Sequence, residues 1–598
     1  MIADLLTDSP DRPGIPSARR SSGVEIEITV RTGSGVLPMI SEETFITEWQ
    51  ELAAQDRKFT VLQEPAFVIS WYRQHESLFE PVVCLGRGPA GCLVGLMPLA
   101  RARDSGSLTH AGDFHAEYHG WIALPSLDEV FAVECLLALK KTFPLRRWAW
   151  NWLPPGTPTG FLTSRRLIEN GVFPSFRKQQ SPLWNLEDEA RFNEVMKTKS
   201  IKNQMNRFKK LGGFVLERIR DKERTGQLLK VLRSQCDFRQ EVMQGVRPFA
   251  DNPRKEPFFL ERQNFPESNH FTVLWSNGRP VSFHFGACGK DTLLLGLTAY
   301  DPTESRNSPG KVHLIELARM VKEEGFHRID LTPGGDQYKE FVANALQELV
   351  IPTFHFSRAA SLRTAFRETL HGKTKEALAA ARIRPEGFLA AMSWMRALPA
   401  RLRNATPRKL LRKIARIFRE DVVYLQYAIE CRREPAETER DPEVFSQRYE
   451  DLLAHPTYLS PRERRRTLAE ALKRFAAGQM LYSMSRDGEL LHCGWVVRGG
   501  QKHHLEGVNA AFDSPPESAV LYDFFTHPKH RGQGLYQRNL RQILRDLAAA
   551  GVQKAFIGVL KSNDDSRRAI EKVGFSPYRT YRRRRILWIE KKEERAHV

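Results

Sequence analysis

The segment 519–536 reads AVLYDFFTHPKHRGQGLY, and it decides the fold of the C-terminal third of this 598-residue chain. An apolar run typical of a strand leads into a loop with two glycines, and apolar residues at helical spacing follow: Leu540, Ile543, Leu544 and Leu547. Gly532 and Gly534 let the backbone turn its N–H groups toward one point, in front of the positive end of a helix dipole. The pattern fits an ordinary strand-to-helix connection, and it also predicts a phosphate-binding turn.

The residues after this turn extend the pattern. The predicted helix ends at Ala550-Gly551, a short strand covers 554–559, and Gly574-Phe575 comes after another helix. This order closely resembles the acetyl-CoA-binding half of GNAT acetyltransferases. The resemblance implies an α/β (α+β) fold, with a mixed central sheet flanked by helices, and acetyl-CoA as the acyl donor.

The resemblance also implies a set of residues that bind the donor. Main-chain amides of Arg531, Gly532, Gln533, Gly534, Leu535 and Tyr536 would hold the CoA pyrophosphate, and Phe525, Thr526, Asn563 and Ser566 complete the expected set. The sequence departs from the family twice. Tyr536 stands where the family has a small residue, and Ile570 stands where many members have the tyrosine that protonates the leaving thiolate.

A general base is expected because the attacking amine is protonated near pH 7. Glu506, Asp523 and His492 lie on or near predicted strands, and each is as easily a structural residue. Glu506 is the preferred candidate and Asp523 the second. No residue pattern predicts a metal site.

A second resemblance covers roughly residues 45–357. It rests on Ser308-Pro309-Gly310 and on the segment 330–339, DLTPGGDQYK. These residues resemble the CelD/BcsL-like acetyltransferase domain associated with bacterial cellulose and exopolysaccharide biosynthesis, a FemAB-related double GNAT fold. Ser308 can cap a helix whose first residue is Pro309, and Lys339 is either a charge beside a Gly-rich turn or a surface residue.

Turn signals and composition shifts predict five segments. They are a flexible tail over 1–43, a GNAT-like half over 44–188, a second half over 189–357, a basic helical connector over 358–418 and the C-terminal GNAT domain over 419–598. The apolar runs 81–85 and 92–96 predict a hairpin, so the GxGxxG match at 86–91 is its turn. Asn277-Gly278 predicts a second hairpin.

Composition limits the classes of function. The formal charge of +20 suits nucleic acid, an anionic membrane surface or an anionic cofactor, and seven scattered cysteines suit a reducing compartment. The sequence shows neither a secretory signal nor an apolar run long enough to span a bilayer, so a cytoplasmic location is expected. The basic amphipathic helix 406–419 could rest on a membrane or pack on its neighbouring domain.

The leading hypothesis is an acyl-CoA-dependent transferase that acetylates an amine or hydroxyl of a small molecule or saccharide precursor. An alternative takes the FemAB relation literally, with an aminoacyl-tRNA donor held by the basic stretch Lys197 to Lys210. Nucleic acid is otherwise not expected as a partner. A third possibility is a non-catalytic scaffold that contacts a membrane-bound polysaccharide synthase through residues 408–419.

Overall fold

The computed structural model describes residues 26–58, 60–334, 337–363, 419–432, 440–454, 459–586 and 589–597. The chain divides into two units. The first contains Met1–Gln180 and Gln347–Thr364, and the second contains Ser181–Leu346 and Ala365–Val598. The predicted connector lies outside the described residues from 364 to 418, and so does nearly all of the basic helix 406–419.

The first unit is built on a five-stranded sheet in the order β1-β2-β3-β4, with β5 paired to β3. The sheet contains β1 Glu27–Thr32, β2 Phe79–Arg87, β3 Leu93–Ala102, β4 Leu108–His110 and β5 Ile122–Ala123, and the unit also contains β6 Arg147–Ala149, which lies outside this sheet. Its helices are α1 Val36–Ile40, α2 Glu43–Gln55, α3 Pro65–His75, α4 Asp128–Thr142 and α5 Arg165–Glu169. β2 and β3 form the predicted hairpin, which confirms that the GxGxxG match is a turn.

Residues 26–43 differ from the flexible tail that was predicted over 1–43, and residues 1–25 lie outside the described residues. β1 pairs antiparallel with β2, and α1 buries Val36 and Ile40. Ile28 and Val30 pack against the apolar core of this unit. Short apolar side chains that alternate along β1 therefore order a segment whose Pro- and Ser-rich surroundings had suggested a tail.

The middle domain, residues 181–346 of the second unit, contains a sheet in the order β7-β12-β11-β10-β9-β8. The strands are β7 Phe173–Asn185, β8 Val215–Ile219, β9 Asn269–Ser276, β10 Arg279–Cys288, β11 Thr292–Tyr300, β12 Arg328–Asp330 and β13 Ala345–His355. The helices are α6 Glu189–Lys197, α7 Lys199–Lys210, α8 Lys222–Gln244, α9 Lys255–Arg262, α10 Pro309–Glu323 and α11 Gln337–Val342. β7 begins in the first unit, and β13 ends there.

Two local signals in the middle domain are confirmed, and one is confirmed only in part. Asn277 and Gly278 connect β9 to β10 with φ values of 50° and 70°, so both adopt the left-handed conformation of a two-residue hairpin turn. Pro309 is the first residue of α10, as predicted. Ser308 occupies the N-cap position, but its side chain makes no capping hydrogen bond.

The C-terminal domain, residues 419–597, has an eight-stranded sheet in the order β15-β16-β17-β20-β21-β14-β22-β23. The strands are β14 Arg419–Glu430, β15 Phe445–Ser446, β16 Met480–Arg486, β17 Glu489–Arg498, β18 Lys502–Leu505, β19 Ala510–Asp513, β20 Ser518–Thr526, β21 Lys554–Leu560, β22 Ser576–Ile586 and β23 Ile589–Ala596. The helices are α12 Glu450–Leu453, α13 Pro461–Ala476, α14 Leu535–Ala549 and α15 Asp564–Lys572. β18 and β19 form a separate hairpin.

Alternating side chains divide this sheet into two covered faces. Leu521, Ile557 and their neighbours pack on one face with Leu540 of α14 and Ile570 of α15. On the other face, Trp495 packs with α13, and Phe556 packs with the β18–β19 hairpin. α14 follows β20 in the chain, so its N-terminus lies where the phosphate-binding turn was predicted.

Helix α13 packs at the junction between the middle and C-terminal domains of the second unit. Phe238 of α8 is buried among Tyr449, Leu468 and Phe475 of the C-terminal domain, and the Ser234 hydroxyl lies 2.9 Å from the Tyr449 hydroxyl. The middle and C-terminal domains therefore share an apolar core. Among the described residues, none of the helices combines the length and the apolar character that a bilayer-spanning segment requires.

Candidate active site

The loop between β20 and α14 has the geometry of an anion-binding turn. Gly532 and Gly534 have φ values of 80° and 76°, which a side chain would oppose, and no atom crowds the Cβ position at Gly532. Gly534 is the N-cap of α14 and offers no capping side chain. The N–H groups of the first helical turn are therefore left for a ligand. Arg531 is exposed beside them and forms no ion pair among the described residues.

A cleft opens between β20 and β21 next to this loop. The two strands pair in parallel from Ser518 and Lys554 to Leu521 and Ile557, and the pairing then ends. On the other edge of β20, the register with β17 shifts where Gly494 faces both Asp523 and Phe524. Asp523 has a φ of 51°, so it forms a bulge that turns the rest of β20 away from β21.

Three rings line the side of the cleft below α14. The Tyr536 ring centroid lies 4.8 Å from that of Phe524 and 5.4 Å from that of His492. A Cβ at Gly494 would overlap the Phe524 ring, so this glycine is required for the ring to lie flat on β17. The predicted donor residues Phe525 and Thr526 form the end of β20 at the same place.

His492 is a buried neutral base in this cleft. Burial lowers its pKa to about 3, so the ring carries no charge near neutral pH. Its Nδ1 lies 2.8 Å from the Thr526 hydroxyl, and its Nε2 has no hydrogen-bond partner among the described residues. A ring that is this reluctant to take a proton can position Thr526 but is a weak general base.

The two preferred base candidates are not brought together by the described contacts. Asp523 lies at the mouth of the cleft, and its carboxylate accepts a hydrogen bond from Arg474 of α13 at 2.6 Å. Glu506 begins a short 3-10 turn that follows β18, and its side chain lies outside the described residues. The Arg474 partner has no sequence signal, because the two residues are far apart in the chain.

The helix after β21 is capped as the resemblance implied. Asn563 is the N-cap of α15, and its side-chain oxygen accepts a hydrogen bond from the Ser566 N–H at 3.2 Å. The Ser566 hydroxyl lies 3.5 Å from the Tyr536 hydroxyl. Ile570 is fully buried in the core, so this helical position supplies no proton donor.

The hydroxyls of Tyr536 and Tyr424 are part of the candidate site. The sequence had predicted only a backbone contact for Tyr536 and no role for Tyr424. Burial raises the pKa of Tyr536 to about 12 and that of Tyr424 on β14 to about 12. Both therefore keep their protons at neutral pH. Tyr424 lies over Gly558 of β21, where a Cβ would have no room. No local spacing could have identified Tyr424, because β14 comes more than a hundred residues before β21 and becomes its neighbour only in the sheet.

A polar cluster supports the loop from below. Glu489 lies 3.0 Å from His530 Nε2 and 3.4 Å from His527 Nε2, while His527 Nδ1 accepts a hydrogen bond from the Lys529 N–H at 3.3 Å. These side chains are close enough to share a metal ion. Their mutual hydrogen bonds already account for the arrangement, and the expectation of no metal stays a prediction.

The middle domain contains a related cleft. β11 and β12 pair in parallel only from Thr292 and Arg328 to Leu294 and Asp330. Gly296 then bends β11 away with a φ of 54°. Lys339 is buried and its ammonium lies 3.2 Å from both oxygens of Thr332, so it is not a surface residue, and its predicted role as a charge beside the Gly-rich turn stays a prediction.

Comparison with known families agrees with this geometry. Residues 196–340 match the model of the acetyltransferase (GNAT) domain, and residues 445–575 match that of the acetyltransferase (GNAT) family. No curated protein has a sequence that matches the chain significantly. The chain thus carries two GNAT acetyltransferase domains in mixed α/β sheets. Such domains indicate an N-acyltransferase enzyme and imply an acyl-CoA donor.

Solved structures resemble about half of the chain. A conserved protein of unknown function from Bacteroides thetaiotaomicron VPI-5482 is 13% identical over 52% of this chain and 97% of its own, with a TM-score of 0.37. L-PGS from Bacillus licheniformis is 11% identical over 55% and 96%, with a TM-score of 0.34. FemX is 11% identical over 51% and 95%, with a TM-score of 0.31.

Proposed function

We propose, for a chain with two GNAT acetyltransferase domains, that the C-terminal domain transfers an acetyl group from acetyl-CoA to an amine or hydroxyl of a small molecule or saccharide precursor. One observation carries the proposal: β20 and β21 part beside a left-handed glycine turn at the start of α14. A long thioester with an anionic end fits a cleft that opens next to an anion-binding turn.

In this proposal, the donor binds along β20. The N–H groups at the start of α14 hold the pyrophosphate together with Arg531, and the pantetheine arm lies where β20 has lost its ladder partner β21. The Ser566 hydroxyl and the Asn563 cap complete the wall on the side of α15. Binding in this way places the thioester carbon near the bulge at Asp523.

The acceptor then attacks the thioester carbon directly. The new bond forms between the acceptor nitrogen or oxygen and the acyl carbon, and the bond between that carbon and sulfur breaks. Asp523, at the mouth of the cleft, is the proposed base that takes the acceptor proton, with Glu506 as the second candidate. The Tyr536 hydroxyl, protonated at neutral pH, is the proposed acid for the leaving thiolate.

The acceptor class is supported by the resemblance of residues 308–339 to acetyltransferase domains of bacterial polysaccharide biosynthesis. A role in making an exopolysaccharide, beside a membrane-bound synthase, would follow from that resemblance. The membrane contact would use residues 406–419.

Calorimetric titration of acetyl-CoA into the full chain tests the donor site. Gly534→Asp places a carboxylate at the N-terminus of α14, where charge and bulk oppose the pyrophosphate, and should abolish measurable binding. The matched control is Gly551→Asp, which puts the same residue at a similar φ of 77° beyond the other end of the same helix. Equal affinity in Gly534→Asp and the control would refute the site.

A further inference from the structure

The middle-domain cleft differs from the C-terminal one at its helix start. Of the first N–H groups of α10, Pro309 supplies none, and the Lys311 N–H donates to the Ser308 carbonyl at 3.1 Å. In α14 the corresponding first residue is Leu535, which follows Gly534 and keeps its N–H. The turn of the middle domain therefore has fewer donors for a pyrophosphate.

The same turn is also covered by the C-terminal domain. The loop Pro302–Asn307 packs against α13. Arg306 lies against Gly478, just past the end of that helix, so that a Cβ on this glycine would be 2.9 Å from Arg306 Nη1. Because a helix C-terminus carries partial negative charge, it attracts this guanidinium. Arg306 is thus directed at α13 and not toward a ligand phosphate.

A cavity of about 260 Å³ nevertheless remains beside this closed turn. Its walls are mostly apolar and come from β10, β11, α8 and α10, with Leu472 of α13 contributed by the C-terminal domain. The volume is just below the roughly 300 Å³ at which small-molecule pockets usually begin, so the cavity suits a small ligand. Its ring-bearing lining residues are Phe283, His284, Tyr300, His313 and Tyr338.

Arg239 gives the cavity a cationic wall. Its Nη1 donates to the carbonyl and hydroxyl oxygens of Thr298 at 3.0 and 2.9 Å, and its Cζ lies 5.9 Å from the rings of both Tyr300 and Tyr338. Among the described residues, no carboxylate pairs with Arg239, and no acidic residue lines the cavity. Nη2 and Nε are left for a ligand.

The other titratable groups do not offset this charge. Burial lowers the pKa of His313 to about 3 and that of His284 well below its usual range, so both rings are neutral at pH 7. Lys311 adds a second cation at the start of α10. A guanidinium near two tyrosine rings and beside apolar walls suits a planar anion, to which it can donate two hydrogen bonds.

We propose that this middle-domain cavity binds a small carboxylate with an apolar body and does not bind a CoA thioester. The carboxylate pairs with Nη2 and Nε of Arg239. The apolar body lies along Leu295, Leu314 and Leu472. The chain then binds one acyl donor, in its C-terminal domain, and a separate carboxylate in its middle domain.

Calorimetric titration of octanoate into the full chain tests this site. One octanoate per chain is expected, and Arg239→Met should weaken its binding by about tenfold or more because a charge-assisted pair is lost. Arg233→Met is the matched control, since Arg233 is on the same helix but pairs with Glu256 at the surface. Octanol, which lacks the charge, should bind about as weakly to the unchanged protein as octanoate does to Arg239→Met.

A second variant guards against misfolding of the first. Leu472→Trp fills the cavity from α13 and should also weaken octanoate binding, while both variants keep a cooperative thermal transition. Absence of saturable octanoate binding, equal affinity in Arg239→Met and Arg233→Met, or two acetyl-CoA sites per chain would each overturn the proposal. Loss of acetyl-CoA binding with octanoate binding intact would count only against the function proposed for the C-terminal domain.

Discussion

Tyr536 and Ile570 occupy two positions at which the chain departs from the family that it resembles. A large ring stands at the start of α14, where a small residue is usual, and an aliphatic side chain stands on α15, where a tyrosine is usual. The Tyr536 hydroxyl lies 3.5 Å from Ser566 on α15. The phenol of Tyr536 therefore lies on α14, the wall of the cleft opposite α15.

Tyr536→Phe tests whether this hydroxyl protonates the thiolate. The ring and its packing on Phe524 remain, so acetyl-CoA affinity should stay unchanged, while kcat falls by about 100-fold, the lower end for a lost general acid. Steady-state kinetics and calorimetry measure the two effects. Tyr427→Phe is the control, because its hydroxyl binds Glu571 at 2.7 Å in the same core. A kcat equal to that of the control would remove the role.

At the scale of elements, α13 packs at the junction of the middle and C-terminal domains. Its N-terminus is fixed by a capping box between Ser460 and Glu463. Its apolar face packs with Phe238 of α8, and its polar face brings Arg474 to Asp523. One helix thereby contributes to the junction of the two domains and to the cleft of one of them.

Arg464→Met should destabilise this junction strongly. Glu241 of α8 is almost fully buried, and its carboxylate pairs with the Arg464 guanidinium. Removal of Arg464 leaves this buried carboxylate with Arg247 alone, whose Nε lies 3.7 Å away, and should lower the unfolding free energy by up to about 3–5 kcal/mol. Urea unfolding measures the loss. The double variant Arg464→Met with Glu241→Leu should recover most of it, and equal stability of the two variants would contradict the argument.

Elements were predictable where their signals are local. Asn277-Gly278, Pro309 and the glycines at 532 and 534 each fix their own backbone, and the structure has a turn or a helix start at each of them. The bulge at Asp523 and the burial of Tyr424 depend on partners supplied by other strands. The strand β1 was not predicted for the same reason, since its partner β2 lies about fifty residues later.

The site was predictable to the same extent. A loop that binds phosphate through its own backbone can be recognised from one segment. A base, an acid or a cationic wall consists of side chains from several segments, as with Arg474 and Asp523, or Arg239 and Thr298. The positions of these side chains along the chain follow no periodic pattern that a sequence would reveal.

At the scale of the whole molecule, both units bury histidines in the neutral form. Burial lowers the pKa of His119 to about 4 and those of His313 and His492 to about 3, and it lowers the pKa of His110 and His284 well below 6.5. In the unfolded chain each ring takes up a proton near pH 6.5. As the pH falls, these histidines therefore become protonated in the unfolded state at a higher pH than in the folded state.

Stability should decline steeply below pH 6.5. Each such histidine removes up to about 1.4 kcal/mol of unfolding free energy per pH unit, between its unfolded pKa and its lower folded pKa. Thermal melting at pH 7.5 and pH 5.0 should show a clear drop in Tm at the lower value. His492→Leu should reduce the pH dependence by one histidine's share. A Tm that is the same at both pH values would show that these rings are not buried.

The shared core around Phe238 has a consequence for how the chain can be divided. A fragment that starts at residue 419 would leave Tyr449, Leu468 and Phe475 facing water, and a fragment that stops before 419 would do the same to Phe238. Either fragment would expose an apolar patch and tend to aggregate and precipitate. The two acetyltransferase modules are therefore expected to be inherited, exchanged and purified only as a pair.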